Sequence, residues 1–281
     1  MERNFMAMLK ARQEKGLRVC VGFDPNICQM PIIHLPEDVE AITDFLVKIA
    51  EAVHDGVCAI KLNSAFFECY GLNGLIARHQ VMQILRREFP DLPTILDGKR
   101  ADVGHSSVAY AESIFDRLKA HATTVNPYLG LDSVEPFLRR KDRGVFVLCK
   151  PSNPGSLEFQ NLPVQVTPDR DPELFDQLMR SQEHNTIPMY LYVAHRTAKH
   201  WNKRGNCGLV VGGNQVDELA RVRDLVGPEM PLLLPGLGAQ SNSEEETVKR
   251  TVEVGGKNII VNLSRSVLYA SMESDFAEAA R

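Results

Sequence analysis

An apolar run ends in the charged segment Asp97-Gly-Lys-Arg-Ala-Asp102, in which Asp97, Lys99 and Asp102 are three charges of alternating sign. Asp97 and Lys99 are two residues apart, so on an extended chain both side chains point to the same side. Asp102 follows where the chain must turn. An ammonium group held between carboxylates at a buried strand end sets the local charge, which is typical of catalytic sites. A structural ion-pair cluster is the alternative interpretation, because such networks also perturb pKa values.

Short apolar runs elsewhere in the chain predict the strands that position these charges. Most of the runs lack the alternation of a half-exposed strand, so we expect both of their faces to be buried. The eight runs cover residues 18–23, 57–62, 93–96, 122–125, 144–149, 207–211, 231–234 and 257–261. Apolar residues at helical spacing lie between them, at 38–54, 75–89, 106–119, 214–226 and 243–254.

This alternation of strands and helices predicts a (β/α)8 TIM barrel, with a doubly wound open sheet as the main rival. No linker divides the sequence, so we expect a single domain over residues 1–281. Functional groups of such a barrel gather at the C-terminal ends of its strands. Polar side chains do follow the predicted strands, and the N-terminal ends offer no comparable set; they include Asp24, Lys61, Asn63, Asn126, Lys150, Ser152, Asn262, Ser264 and Arg265. This asymmetry favours a catalytic barrel over a purely structural ion-pair cluster.

Composition narrows the classes of function. Apolar residues make up 44% of the chain and charged residues 24%, as in ordinary globular proteins. The net charge of −4, with no basic face in the sequence, argues against nucleic acid as a partner. No signal-peptide core and no membrane-length apolar run occur. The six cysteines form no Cys-x-x-Cys pair, and four of them lie in or beside strand-like runs, so we expect reduced core cysteines and a cytoplasmic protein.

Beyond the first segment, an ordered set of motifs resembles the orotidine 5′-phosphate decarboxylase family, in particular its bacterial-type, or type 2, subfamily. A lone Asp-x-Lys-x-x-Asp is less specific, because sugar-phosphate lyases and synthases of the same superfamily share it. The ordered set spans residues 18–270. Its members besides Asp97–Asp102 are Val21-Gly-Phe-Asp24-Pro, Lys61-Leu-Asn-Ser-Ala-Phe-Phe-Glu68, Thr124-Val-Asn-Pro-Tyr-Leu-Gly130, Val145-Phe-Val-Leu-Cys-Lys-Pro-Ser152-Asn-Pro-Gly-Ser156, Gly205-Asn-Cys-Gly-Leu-Val-Val-Gly212, Leu234-Pro-Gly-Leu-Gly-Ala-Gln240 and Asn262-Leu-Ser-Arg265-Ser.

The resemblance implies a reaction without cofactor or metal, the last step of de novo UMP synthesis. Orotidine 5′-monophosphate loses carbon dioxide and becomes uridine 5′-monophosphate. By resemblance, Lys99 is the proton donor to C6 of the pyrimidine, and Asp97 lies beside the departing carboxylate. Lys61 and Asp102 are expected to complete a Lys–Asp–Lys–Asp array that holds Lys99 and keeps it charged.

The resemblance also assigns the substrate contacts. Asp24 and Lys61 are expected at the ribose hydroxyls, and Ser152 at the amide edge of the pyrimidine. The 5′-phosphate is expected on Gln240 and Arg265, with the turn that begins at Pro235 and the backbone N–H groups of Ser264 and Arg265. Asp102 and Ser106 are expected to reach into the site of a partner subunit, which implies a homodimer with shared active sites. The early part of the long stretch 152–188 is expected to close over bound nucleotide.

Two departures from the subfamily pattern concern Gly98, where alanine is more usual, and Ala101, where glycine is more usual. Neither removes a group from the proposed chemistry. Three other functions stay open: a metal-dependent lyase or epimerase, a Schiff-base aldolase using Lys61 or Lys99, and a non-catalytic barrel that senses nucleotide. The sequence shows no cluster with metal-ligand spacing, and we predict that His195 and His200, five residues apart, lie on a helix surface.

Overall fold

Eight parallel strands close into a barrel in the computed structural model, which describes residues 4–31, 39–180, 185–237 and 244–281. The strands of the described chain are β1 Val19–Phe23, β2 Ala59–Asn63, β3 Thr94–Arg100, β4 Ala122–Val125, β5 Gly144–Lys150, β6 Pro163–Gln165, β7 Thr186–Pro188, β8 Cys207–Val211, β9 Leu232–Leu234 and β10 Ile259–Leu263. Their order around the barrel is β1-β10-β9-β8-β5-β4-β3-β2, and β6 and β7 form a separate antiparallel hairpin.

Helices surround the barrel and connect its strands. They are α1 Phe5–Glu14, α2 Val39–Val53, α3 Ala65–Glu68, α4 Gly71–Glu88, α5 Gly104–Ala111, α6 Leu131–Leu138, α7 Ser156–Phe159, α8 Pro172–Arg180, α9 Met189–His195, α10 Val216–Val226, α11 Glu244–Gly255, α12 Arg265–Leu268 and α13 Phe276–Ala279. Short π-helical segments follow α5, at Glu112–Arg117, and α9, at Arg196–Trp201, and a 3₁₀ turn covers Ile27–Gln29. None of the described helices is long and apolar enough to cross a membrane.

The predicted barrel is confirmed, and the doubly wound sheet is wrong. Each of the eight apolar runs is a barrel strand, because a strand covered on both faces must be apolar throughout. The main difference is β3, which continues four residues past the predicted run 93–96. Asp97 and Lys99 therefore lie inside the strand, where the register against β4 shifts between Leu96 and Arg100. Four predicted helices correspond to α2, α4, α10 and α11, and the run 106–119 is α5 with its π-helical extension.

One end of the barrel is filled by packing. Phe5, at the start of α1, is completely buried among apolar side chains of the barrel interior. Its ring meets that of Phe146 edge to face, with centroids 5.7 Å apart. A side chain at Gly144 would collide with the Phe5 ring, so this strand position has room only for glycine. The N-terminal end of the barrel is thus closed.

The long stretch after β5 is structured in its described part, although the sequence predicted only a loop. It contains α7, the β6–β7 hairpin and α8. Val166, Leu174 and Leu178 are buried and anchor the stretch to the rest of the protein. These elements are short, three to nine residues each, so they carry too few turns or alternations for a periodic signal. The cysteine prediction holds: Cys20, Cys58, Cys149 and Cys207 are free and buried.

Candidate active site

A cavity of about 340 Å³ opens at the C-terminal ends of the barrel strands. Its wall combines charged and polar side chains with an apolar side formed by β5, β8 and β9. Most of the site residues predicted from the sequence meet here. The lining includes Asp24, Lys61, Asn63, Asp97, Lys99, Thr124, Leu148, Pro151, Ser152, Val210, Leu233, Pro235, Asn262, Ser264 and Arg265.

Four of these side chains form a line of alternating charge. Lys61 Nζ lies 3.9 Å from Asp24 Oδ1 and 3.1 Å from Asp97 Oδ2. Lys99 Nζ lies 2.7 Å from the other oxygen of Asp97, Oδ1. Asp97 therefore holds two ammonium groups, one on each carboxylate oxygen. Lys61 is buried, whereas the Lys99 side chain is 46% exposed, so Lys99 is the cation with access to the cavity opening.

The two groups at the centre of the line stay charged. Burial by itself would raise the pKa of Asp97, but the charges of Lys61 and Lys99 and the hydrogen bonds from Lys99 and Thr124 outweigh it and lower this pKa to about 2. Burial would likewise lower the pKa of Lys61, but Asp97 and Asp24 raise it above its ordinary value. At both groups, the neighbouring opposite charges thus outweigh the effect of burial on the pKa. A carboxylate and an ammonium are present across the neutral pH range.

Thr124 fixes the geometry of this line. Its hydroxyl donates to Asp97 Oδ1 at 2.8 Å and accepts from the backbone N–H of Lys99 at 2.9 Å. Lys99 has φ of +47°, a left-handed conformation that a non-glycine residue adopts only when its surroundings hold it. The buried Thr124 supplies that hold. This role of Thr124 is not predicted from the sequence, because a threonine inside a strand-like run carries no signal beyond its place one residue before the end of the predicted strand.

Two oxygen acceptors of the site have no hydrogen-bond partner within the described chain, Asp24 Oδ1 and Asn262 Oδ1. Asn262 is buried and donates through Nδ2 to Ser264 Oγ at 3.3 Å. Both residues line the cavity. Buried polar atoms are normally satisfied, so these two acceptors suit ligand hydroxyl or N–H donors. Asn262 is a further site residue that the sequence placed at a strand end without a role.

The predicted substrate contacts fall into three groups. Asp24, Ser152, Pro235, Ser264 and Arg265 line the cavity together with the charge line. Ser152, which follows β5, lies close to the turn after β9: a side chain at Gly236, whose φ is +86°, would lie 3.1 Å from Ser152 Oγ. Gln240 lies outside the described residues.

Asp102 and Ser106 form the third group, because neither lines the cavity of its own chain. Asp102 is half-buried, accepts from the backbone N–H of Val103 at 2.7 Å, and has no ion pair among the described residues. Ser106 is exposed. Within one chain, the line of charges is therefore Asp24–Lys61–Asp97–Lys99. A place for Asp102 beside a lysine of a second copy stays a prediction.

The prediction for the two histidines was wrong. His195 is buried, and His195 and His200 both contact Asp171, 3.0 Å and 3.2 Å away respectively. Among the described residues, these three side chains lie close enough together to bind one metal ion. None of them lines the barrel-mouth cavity. No sequence pattern indicates this cluster, because Asp171 is 24 residues away from His195 and the turn between the histidines is π-helical.

Fold and site together define a barrel enzyme that acts on a charged small molecule at the C-terminal ends of its strands. Comparison with known proteins makes this specific. A family model described as "Orotidine 5′-phosphate decarboxylase / HUMPS family" matches residues 18–280, and the chain belongs to this family.

Curated relatives of this chain carry the name orotidine 5′-phosphate decarboxylase. The one from Roseiflexus castenholzii is 45% identical over 264 residues, and the one from Herpetosiphon aurantiacus is 42% identical over 263 residues; each alignment covers 94% of this chain and 88% of the relative. Among solved structures, Leishmania donovani OMP decarboxylase superposes with a TM-score of 0.77 at 32% identity, covering 99% of this chain and 94% of that one. Leishmania donovani UMP synthase gives 0.79 at 34% identity, with 54% of that longer chain covered.

Proposed function

We propose that this protein is a carboxy-lyase that converts orotidine 5′-monophosphate to uridine 5′-monophosphate and carbon dioxide, with Lys99 as the acid. The observation that carries the proposal is the Lys99–Asp97–Lys61 arrangement inside a family of this activity. The bond between C6 and the carboxylate breaks, and its electron pair stays on C6. Lys99 then transfers a proton from Nζ to C6 and regains one from solvent, to which it is open.

The charges of the site act in opposite directions on substrate and transition state. Asp97 is ionised and would lie beside the substrate carboxylate, which disfavours the ground state. The ammonium of Lys99 would face the negative charge that develops on C6, and because Asp97 and Thr124 already hold this segment, little reorganisation is needed. No step of this route requires a metal or an organic cofactor.

The remaining cavity residues bind the nucleotide. Asp24 and Lys61 bind the ribose hydroxyls, consistent with the absence of a hydrogen-bond partner for Asp24 Oδ1 among the described residues, and Ser152 binds the pyrimidine amide edge. Arg265 grips the 5′-phosphate with its forked guanidinium, together with Ser264, Pro235 and Gln240. The early part of the stretch 152–188 closes over the bound nucleotide; Ser152 and Asn153 already line the cavity.

A homodimer with shared active sites accounts for Asp102 and Ser106. Both lie outside the cavity of their own chain, and Val103 between them is 61% exposed. Tyr128 and Leu129, which follow the neighbouring strand β4, are also exposed. Apolar side chains exposed in this way are typical of interfaces between proteins. We place this dimer in the cytoplasm.

Hybrid dimers test the shared site. Lys99→Ala and Asp102→Ala should each be nearly inactive alone. If each site combines Lys99 of one copy with Asp102 of the other, half of the dimers in an equilibrated equimolar mixture are hybrids with one intact site, so about a quarter of wild-type activity returns. Activity that stays at the level of the separate variants would contradict the shared site.

The reaction itself is tested by the loss of the orotate ultraviolet chromophore after orotidine 5′-monophosphate is added to the protein in chelator. We expect absorbance to fall at the same rate with and without chelator. A metal-dependent lyase would stop in chelator, and an aldolase would form an adduct that borohydride traps. An unchanged chromophore would overturn the proposed function.

A further inference from the structure

A second polar cluster lies where α8 meets the turn that follows α9. Asp171 and His195 are 1% and 2% exposed, and His200 is half-buried. Of the described residues that line the barrel-mouth cavity, none belongs to this cluster. Burying a carboxylate costs free energy unless it is paired, and here two imidazoles contact the same carboxylate.

The distances within the cluster match those between ligands of one metal ion. His195 Nε2 lies 3.0 Å from Asp171 Oδ1, and His200 Nε2 lies 3.2 Å from Asp171 Oδ2. All three residues offer ligand atoms within 4.8 Å of one another. In a tetrahedral zinc site with bonds near 2.0–2.1 Å, two ligand atoms stand about 3.3 Å apart. An ion could therefore take the place of the two His–Asp hydrogen bonds with small side-chain movements.

Local backbone geometry brings the two histidines together. They are five residues apart, which in an α-helix would turn their side chains about 140° from each other. The segment Arg196–Trp201 is π-helical instead, and the Asn202 N–H donates to the Thr197 carbonyl. This wider turn lets His195 and His200 face the same carboxylate. π-Helical turns are rare and are often retained at functional sites.

Further contacts hold the carboxylate in position. Asp171 directly precedes α8, and its backbone carbonyl accepts from the N–H of Phe175 at 3.0 Å. Arg196 Nη1 lies 3.4 Å from Asp171 Oδ2. Carboxylates that bind metals are commonly hydrogen-bonded in this way. The positive charge of Arg196 opposes a second cation, so we expect micromolar rather than nanomolar affinity.

We propose that Asp171, His195 and His200 form a binding site for a divalent transition metal of the zinc type. Two imidazole nitrogens and one carboxylate are donors that zinc accepts, and water at the exposed side of His200 completes four ligands. Each imidazole then carries its proton on Nδ1 and offers the Nε2 lone pair. The ion would fasten α8, in the stretch after β5, to the turn after α9. The site is independent of the proposed decarboxylation.

Calorimetric titration with Zn²⁺ tests the site on the full chain after dialysis against chelator. The titration uses a Cys28→Ser/Cys69→Ser background, because these exposed thiols could bind zinc themselves. We expect one equivalent of Zn²⁺ with a Kd on the order of micromolar, and a Tm raised by about 5 °C in excess metal. The two test variants are Asp171→Asn, which can still cap α8, and His200→Ala at the half-buried position.

Both test variants should no longer bind the one equivalent of Zn²⁺. The matched control His79→Ala, at an exposed histidine on α4, should still bind it. Co²⁺ in the same site should give the intense visible bands of tetrahedral coordination. No heat of binding up to about 100 µM Zn²⁺, or equal stoichiometry in the control and both test variants, would overturn the proposal. Decarboxylation measured alongside in chelator reports separately on the barrel-mouth site.

Discussion

The two ends of the barrel solve opposite problems. At the N-terminal end, Phe5 fills the interior with apolar contacts, and Gly144 makes room for its ring. At the C-terminal end, three charged side chains are nearly as buried as Phe5: Asp24, Lys61 and Asp97. The closed end gains stability from packing, whereas the open end keeps charges whose desolvation is offset by one another. Stability and chemistry are thus separated along the barrel axis, which mutations at each end can test.

The largest expected loss of stability comes from the closed end. Phe5→Ala should lower the free energy of unfolding by about 3–5 kcal/mol, because it empties a completely buried aromatic position. The kcat of the remaining folded protein should stay within about twofold of wild type, since Phe5 does not line the active-site cavity. Urea unfolding and turnover measured on the same sample check both values. The control Val252→Ala, at a position 41% exposed, should change neither.

At the open end, Thr124→Val should act on rate more than on stability. It keeps the shape of the side chain but loses the hydrogen bonds to Asp97 and to the Lys99 backbone. We expect kcat to fall about 10–100-fold with little change in KM, because the acid is displaced rather than removed. Thr124→Ser keeps the hydroxyl and should recover most of the rate. Equal losses in the valine and serine variants would mean that packing, not hydrogen bonding, matters at this position.

The paired charges of Asp97 and Lys61 should also make the stability of the protein depend on pH. The pKa of Asp97 is about 2 in the folded protein and about 3.9 when unfolded, so its contribution is present above about pH 4 and disappears as the pH falls toward 2. Lys61 has a raised pKa, so its contribution is lost only in strongly alkaline solution. The stability advantage of wild type over Asp97→Asn should be constant near neutral pH and shrink in acid. Curves that stay parallel down to about pH 2 would contradict the ionised Asp97.

The smallest effect is expected at Gly98, between Asp97 and Lys99 of β3. A Cβ there would lie 3.3 Å from Arg100 Cγ and 3.5 Å from Ser64 Oγ, so the flexible arginine need move only slightly. Gly98→Ala should raise the free energy of unfolding by about 0.4–1 kcal/mol, because it restricts the unfolded chain. Thermal unfolding measures this gain. A loss of more than about 1 kcal/mol would show that the backbone at this position has no room for a side chain.

How far the sequence predicts the molecule depends on whether a feature is local. Apolar runs without alternation predict buried parallel strands. The C-terminal ends of such strands meet at one end of a barrel, which predicts that Lys61, Asp97 and Arg265 lie together there. The left-handed Lys99, by contrast, depends on a hydroxyl from the next strand. The convergence of His195 and His200 on Asp171 depends on a π-helical turn and on a stretch without periodic signal. Such features arise from tertiary packing, so no pattern along the chain reports them.

The proposed function depends most directly on Lys99 as the proton donor to C6 at the open end of the barrel. The direct measurement is the decarboxylation rate of Lys99→Ala with orotidine 5′-monophosphate, beside its urea unfolding curve. Lys99 is 46% exposed, and Asp97 keeps Lys61 and Thr124 as partners, so the variant should fold like wild type. We predict a kcat at least about 10⁴-fold lower, from loss of both the acid and the facing charge. A folded Lys99→Ala variant with wild-type kcat would show that Lys99 is not the proton donor.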